Sequence, residues 1–366
     1  MIYAAGPAST RELPSQSAKS IPSNLAGSVT GIGSLPFTSA CEATRAIAEY
    51  CPDLPFWPQL PRLSEKESVI GQGLDLLVDS IEPRSSGYGY EVKDGRIDAV
   101  VEALHNSSGR LTSTNATGFA AFENSMRSGA FRPALAVKGQ IEGPVTLSTY
   151  LFHRGRAFLA DPSLFAAVAF HVSQIACWQI ERLKILGKPV LMFIDEPALC
   201  LDAAVSNGIP QERRLNALWA IFDDVRARGA FGGLHCCAAR PFARMCLAKP
   251  DILSFDAYHG LEQFFADSQA LHFLQNGGWV AYGIIPTSPG LRAIEPASLF
   301  SRWLMAASLA GEPQEFARRT LITATCGLGL LDEASAIESF HVARVTGQLI
   351  KRLAGIGSCE SFGAIS

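Results

Sequence analysis

The chain predicts a parallel α/β architecture, a single (β/α)8 TIM barrel, and three observations predict it. Short apolar strands alternate with helical stretches along most of the length, which is the rhythm of parallel β/α units. Roughly eight such repeats can be counted in 366 residues, a length that suits this barrel with one insertion. Polar or metal-binding groups fall at the ends of nearly all the strands, where a barrel of this kind builds its active site. A doubly wound sheet is the alternative, but no Gly-x-Gly-x-x-Gly turn follows the first strand.

Residues 1–25 are rich in Ser, Pro and Ala and read as a flexible N-terminal arm, with a catalytic domain over 26–366. Val29–Pro36 is a strand ending in small residues, and Ala40–Tyr50 carries apolar residues at helical spacing. Phe56–Pro61 is a short strand interrupted by proline. From Arg62 to about Thr117 the pattern is irregular, with a helix at Glu65–Leu77, a hairpin around Tyr88–Gly95 and a helix at Ile97–Leu104; this is an insertion after strand two. Regular strands then follow at Ala134–Ile141, Pro189–Ile194, Gly232–Cys237, Asp251–Asp256, Trp279–Ile285 and Leu321–Cys326. Helices alternate with them at Pro162–Leu186, Glu212–Ala227, Pro241–Leu247, Leu261–Leu274, Ala297–Leu309 and Glu333–Leu353. The run at Pro189–Ile194 is apolar without alternation, as expected where both faces of a strand are covered.

With 48% hydrophobic and 18% charged residues the chain can bury a large core, and its net charge of −3 with scattered cations argues against nucleic acid or an anionic membrane as partner. Nine cysteines are an odd count and are not spaced as a disulfide framework. The N-terminus lacks the basic and apolar regions of a signal peptide, and no apolar run reaches the ~18 residues of a membrane span. The expectation is a cytoplasmic protein with reduced thiols.

The chemistry is concentrated in Gly233-Leu234-His235-Cys236-Cys237. Alternation on a strand turns His235 and Cys237 to one face and Cys236 to the other. An imidazole and a thiolate so paired suit zinc, and Cys326, at the end of the last strand, supplies a third ligand while leaving a position open for substrate. Thiolate ligands make zinc a weaker Lewis acid, which favours activating a substrate thiol over hydrolysis. Asp256 is placed to complete the metal shell or to orient His235. Asp195 and Glu196, adjacent carboxylates at a strand end, suit a substrate ammonium group or general-base work. Ser34, Gln59 and Glu142 join the ring of polar strand ends, and Tyr150 offers an aromatic face to a flat donor.

These residues resemble the C-terminal catalytic barrel of cobalamin-independent methionine synthase, in the superfamily shared with uroporphyrinogen decarboxylase and corrinoid-dependent thiol methyltransferases. Thr30–Pro36, Glu142-Gly-Pro-Val-Thr146, Ile194-Asp-Glu-Pro-Ala-Leu199, His235-x-Cys237 and Cys326-Gly-Leu328 occur in the family's order, across nearly the whole chain after the arm. The resemblance implies zinc on His235, Cys237 and Cys326, with Asp256 where the family has a Glu ligand. It implies that Ser34 and Asp195 hold the amino-acid end of homocysteine, and that Tyr150 lies where the family sets an aromatic residue against folate.

Three departures bear on the donor. There is one barrel where the synthase has two, Glu142 stands where the family has Thr, and Gly283–Thr287 lacks the family's histidine that helps protonate departing folate. The expected function is zinc-dependent methyl transfer to a thiol, homocysteine in the first place, from a methyl-corrinoid protein. His259 is the candidate replacement acid. The alternatives are a tetrapyrrole decarboxylase, which needs an arginine-rich mouth where Arg62 stands alone, and a non-catalytic metal- or corrinoid-binding accessory protein.

Overall fold

The computed structural model describes residues 20–112, 114–200, 208–287 and 294–356. Residues 1–19 of the expected arm lie outside the described residues. The end of the arm is packed, with Ile21 and Leu25 buried in one cluster with Leu54, Leu191, Phe193, Ile252 and Trp279. The boundary expected at residue 25 therefore falls within packed chain. Two apolar residues four apart anchor a segment whose composition otherwise reads as loose.

Helix α1 (Ala40–Tyr50) starts where the Ser39 side chain accepts a bond from the Glu42 amide. The helix expected over 65–77 is broken into a 3-10 turn at Glu65–Glu67, α2 (Val69–Leu74) and a second 3-10 turn at Asp75–Leu77. Ser68 takes an extended conformation and caps α2 through the Gly71 amide, restarting the helix there. The hairpin pairs β1 (Ile81–Pro83) with β2 (Tyr90–Val92), Ile81 opposite Val92, so its turn is 84–89. The Asp94-Gly95 turn lies beyond it and leads into α3 (Ile97–His105). Helix α4 (Thr117–Ser128), which the sequence reading passed over, ends at Gly129 in the left-handed region.

The regular part begins with β3 (Val137–Glu142) and α5 (Pro144–Tyr150). Strands β4 (Leu151–His153) and β5 (Arg156–Ala157) turn back to complete a small sheet of order β1-β2-β4-β5 with the insertion. Then come α6 (Pro162–Leu183), β6 (Val190–Asp195), α7 (Gln211–Ala227), β7 (Phe231–Cys236), α8 (Phe242–Leu247) and β8 (Ile252–Phe255). The helix expected at 261–274 is two, α9 (Ala257–Ala266) and α10 (Ser268–Gln275). Asp267 interrupts it by turning extended and accepting bonds from the Gln269 and Ala270 amides. The chain continues through β9 (Trp279–Ile285), α11 (Pro296–Ala310), α12 (Pro313–Ala317), β10 (Thr320–Ala324) and α13 (Glu333–Leu353).

The main sheet is a curled, wholly parallel, six-stranded one of order β10-β9-β8-β7-β6-β3. Every residue of β3, β6, β8, β9 and β10 is buried, as expected of a parallel sheet covered on both faces. Helix α6, with the 3-10 turn that extends it to Leu186, is long and apolar enough to cross a membrane by composition, but 61% of its apolar window is buried in the fold. Between β3 and β10 lie two extended segments joined by single parallel bridges, Val29 to Ile322, Ser34 to Gln59 and Phe56 to Lys138. Pro55, Pro58 and Pro61 have no N–H to donate, which limits the second segment to isolated bridges instead of a full ladder.

Candidate active site

The C-terminal ends of β3, β6, β7 and β8 set one row of polar side chains. Glu142 is in register with Asp195, Asp195 with His235, and His235 with Ser254. Registered residues of a parallel pair share a face, so four neighbouring strands present these groups together. The row is buried, with Glu142 3%, Asp195 7% and His235 4% exposed. His235 Nδ1 bonds the Ser254 hydroxyl at 2.9 Å, which leaves its other nitrogen for the mouth.

Cys237 and Cys326 are exposed at that mouth, close enough that each thiol shifts the other. Cys237 and then His235 pull the Cys326 thiol down, favouring its thiolate. The Cys237 thiol is pushed up by its bond to Cys326 and then by burial. Cys236 turns the opposite way, fully buried, its Sγ 3.2 Å from Cys200 Sγ.

The carboxylates are unequal. Burial raises Glu142 well above the usual range, and the charges of Asp195 and Glu196 add to this. Burial also raises Asp195, opposed by His235 and by Lys138. Among the described residues, Glu142 Oε1 and Asp195 Oδ1 have no hydrogen-bond partner. A buried unsatisfied oxygen costs on the order of 1–3 kcal/mol, which a cation or an N–H donor would offset. Glu196, raised to about 7 by burial, has its oxygens engaged. They accept from the Val145 amide (2.8 Å), the Thr146 amide (2.9 Å) and the Thr146 hydroxyl (2.8 Å), capping α5 from another strand. Gly143 leaves room for this, because a Cβ there would lie 2.2 Å from Glu196 Oε1.

Lys138, which the sequence reading did not single out, lies fully inside the sheet, four residues before Glu142 on the same face. Its Nζ donates to the Ile32 carbonyl (2.6 Å) and Gln140 Oε1 (3.0 Å), with the Phe193 ring 4.9 Å away. Burial lowers it to about 8, while the charge of Asp195 pulls the other way. It is a buried countercharge beneath the carboxylates. Its one visible signal was its place on a strand, where alternation sets it on one face with Gln140 and Glu142.

The other expected residues are placed as follows. Ser34 accepts the Leu328 amide through its carbonyl at 2.8 Å, next to Gly327. Gln59 is buried and donates to Gln72 Oε1 at 2.8 Å. Tyr150 stacks edge-on against Tyr88, centroids 5.3 Å apart, and its hydroxyl is shifted up by burial and then by Glu142. Asp256 caps α9: Oδ1 accepts the His259 amide at 3.0 Å and Oδ2 pairs with His259 Nδ1 at 2.8 Å. His259 itself is exposed. Asp256 and His259 thus form their own pair, while Glu142, Asp195, His235, Cys237 and Cys326 interact with one another.

Among the described residues no three His, Cys, Asp or Glu side chains already stand as a ligand set for one ion. The donor chemistry nonetheless suits zinc. Two thiols and an imidazole at neighbouring strand ends, Cys237, Cys326 and His235, are a donor set that zinc accepts.

No family model matches the chain, and no curated protein matches it. Among solved structures it is similar to an L-ribulose 3-epimerase, at 14% identity and TM-score 0.36, over 69% of this chain and 93% of that one. It is also similar to a prolidase complexed with N-methylphosphonate-L-proline, at 12% identity and TM-score 0.27, over 72% of this chain and 74% of that one. Likenesses of this size bear on neither the closure of the sheet nor the chemistry of the site.

Proposed function

We propose that this chain is a zinc-dependent methyltransferase that methylates a thiol, homocysteine in the first place, using a methyl-corrinoid as donor. The observation that carries the reading is the grouping of Cys237, Cys326 and His235, whose thiols and imidazole act on one another, beside two buried carboxylates with oxygens unpartnered among the described residues. The proposed scaffold is a closed (β/α)8 barrel in which 29–34 and 56–59 are the first two strands. Their parallel bridges to β10, to each other and to β3 support that closure.

His235, Cys237 and Cys326 would hold the zinc. When bound, zinc supplies a lowered thiol pKa, so that a thiolate is available at neutral pH. Asp195 receives the substrate ammonium at its free Oδ1, with Lys138 below helping to keep it ionised. The thiol proton is shed to solvent at the exposed mouth. The sulfur then attacks the methyl carbon. The S–C bond forms as the methyl–cobalt bond breaks, its electron pair leaving with cobalt. Tyr150, packed edge-on against Tyr88 and near enough to Glu142 to feel its charge, would offer an aromatic face to a flat donor. The reading places the reaction in the cytoplasm, with thiols reduced.

Folate is the weaker donor on this account. Its nitrogen leaves badly without protonation, Gly283–Thr287 holds no histidine, and His259 is paired to Asp256. The tetrapyrrole lyase reading gains nothing from Arg62, whose guanidinium donates to the Gly329 and Leu330 carbonyls. The test is methyl transfer to homocysteine by zinc-loaded protein from a methylated corrinoid and from methyl-tetrahydrofolate under identical conditions. The corrinoid should be faster by about 10²-fold or more, the usual contribution of a general acid. Efficient folate turnover that collapses in His259→Ala would overturn the donor assignment, and no transfer from either would overturn the function.

A further inference from the structure

We propose that Glu142, not Asp256, is the carboxylate ligand of the metal centre. This rests on the zinc reading above and adds which oxygen donor joins His235, Cys237 and Cys326.

Glu142 is buried at the end of β3, and its Oε1 has no hydrogen-bond partner. A buried carboxylate oxygen without a donor is costly, and a divalent cation is the partner that best offsets a charge so placed. Its position fits. Glu142 is one strand from Asp195 and two from His235 along the registered row, on the same face of the sheet. The charge of Glu142 raises Cys237, and that of Cys326 raises Glu142.

Asp256 is otherwise employed. Both its oxygens are bonded to His259, one to the amide and one to the ring. Recruiting Asp256 to an ion would uncap α9 and break its bond to the His259 ring. Recruiting Glu142 would break no bond at Oε1 and would satisfy an orphan atom. Two thiolates, an imidazole and a carboxylate make a shell that zinc and cobalt(II) both accept.

The experiment uses the full chain stripped of metal and titrated with cobalt(II), with affinity read by chelator competition and the coordination shell by the visible ligand-field spectrum. Glu142→Gln keeps the side-chain shape and removes the charge. It should weaken the metal by at least about tenfold and shift the spectrum, tenfold being the low end for loss of even an outer partner of a metal ligand. Glu142→Asp, shorter by one methylene, should also weaken binding and alter the spectrum. Asp256→Asn should bind within about twofold of wild type, since it touches no ligand on this assignment. Wild-type affinity and spectrum in both Glu142 variants would overturn the assignment, as would a loss confined to Asp256→Asn. Metal kept with weakened homocysteine binding in Glu142→Gln would overturn it too, moving Glu142 to substrate. If wild type fails to bind the ion through its thiols, the zinc reading itself falls; the other outcomes leave that reading standing.

Discussion

Cys237→Ser and Cys326→Ser will each strip most of the zinc from the purified protein, while Cys236→Ser will leave it in place. The asymmetry comes from strand geometry. Successive side chains on β7 alternate faces, so the neighbour of a ligand is turned away from it. Cys236 lies fully buried with its sulfur against Cys200, whereas Cys237 is exposed, its thiol shifted by that of Cys326. Serine is nearly isosteric with cysteine but is a poor zinc ligand at neutral pH, so each replacement removes a donor without opening the core. Zinc would be counted per chain by elemental analysis, with circular dichroism reporting folding. Equal loss in all three variants would break the alternation argument, and zinc unaffected by any of them would place the metal elsewhere.

Asp195→Asn will weaken homocysteine binding about ten- to a hundredfold and will barely change binding of a thiol that lacks an amino group. Asp195 Oδ1 is buried without a partner, and Lys138 and His235 favour its ionised form. A charge-assisted hydrogen bond from an ammonium to such an oxygen contributes roughly 1.5–3 kcal/mol, and ~1.4 kcal/mol is one decade of affinity. Calorimetric titration of zinc-loaded protein with the two thiols measures the difference directly. If both weaken alike, Asp195 supports the fold or the metal and does not read the amine.

Much of this site was legible because strand ends are local features. The apolar runs that became β3, β6, β7, β8, β9 and β10 were visible in the sequence, and so was the His-x-Cys alternation. What escaped depended on partners far along the chain. Helix α5 carries Val145 and Thr146 near its start, residues that favour strand; its helical start is secured by Glu196, about fifty residues on, which binds their amides. Lys138 sits on a strand with Gln140 and Glu142, and its meaning came from Ile32 and Gln140 around it. Asp256 was ambiguous on its face. An aspartate at a strand end and one capping the next helix have the same local sequence, and the His259 pairing decides between them.

The most direct measurement is zinc-edge X-ray absorption on the purified protein with and without homocysteine, read for the number of sulfur neighbours. The account predicts two sulfurs from Cys237 and Cys326, rising to three when the substrate thiol binds. An absorption spectrum with no sulfur on the metal, or a sulfur count that homocysteine leaves unchanged, would contradict it.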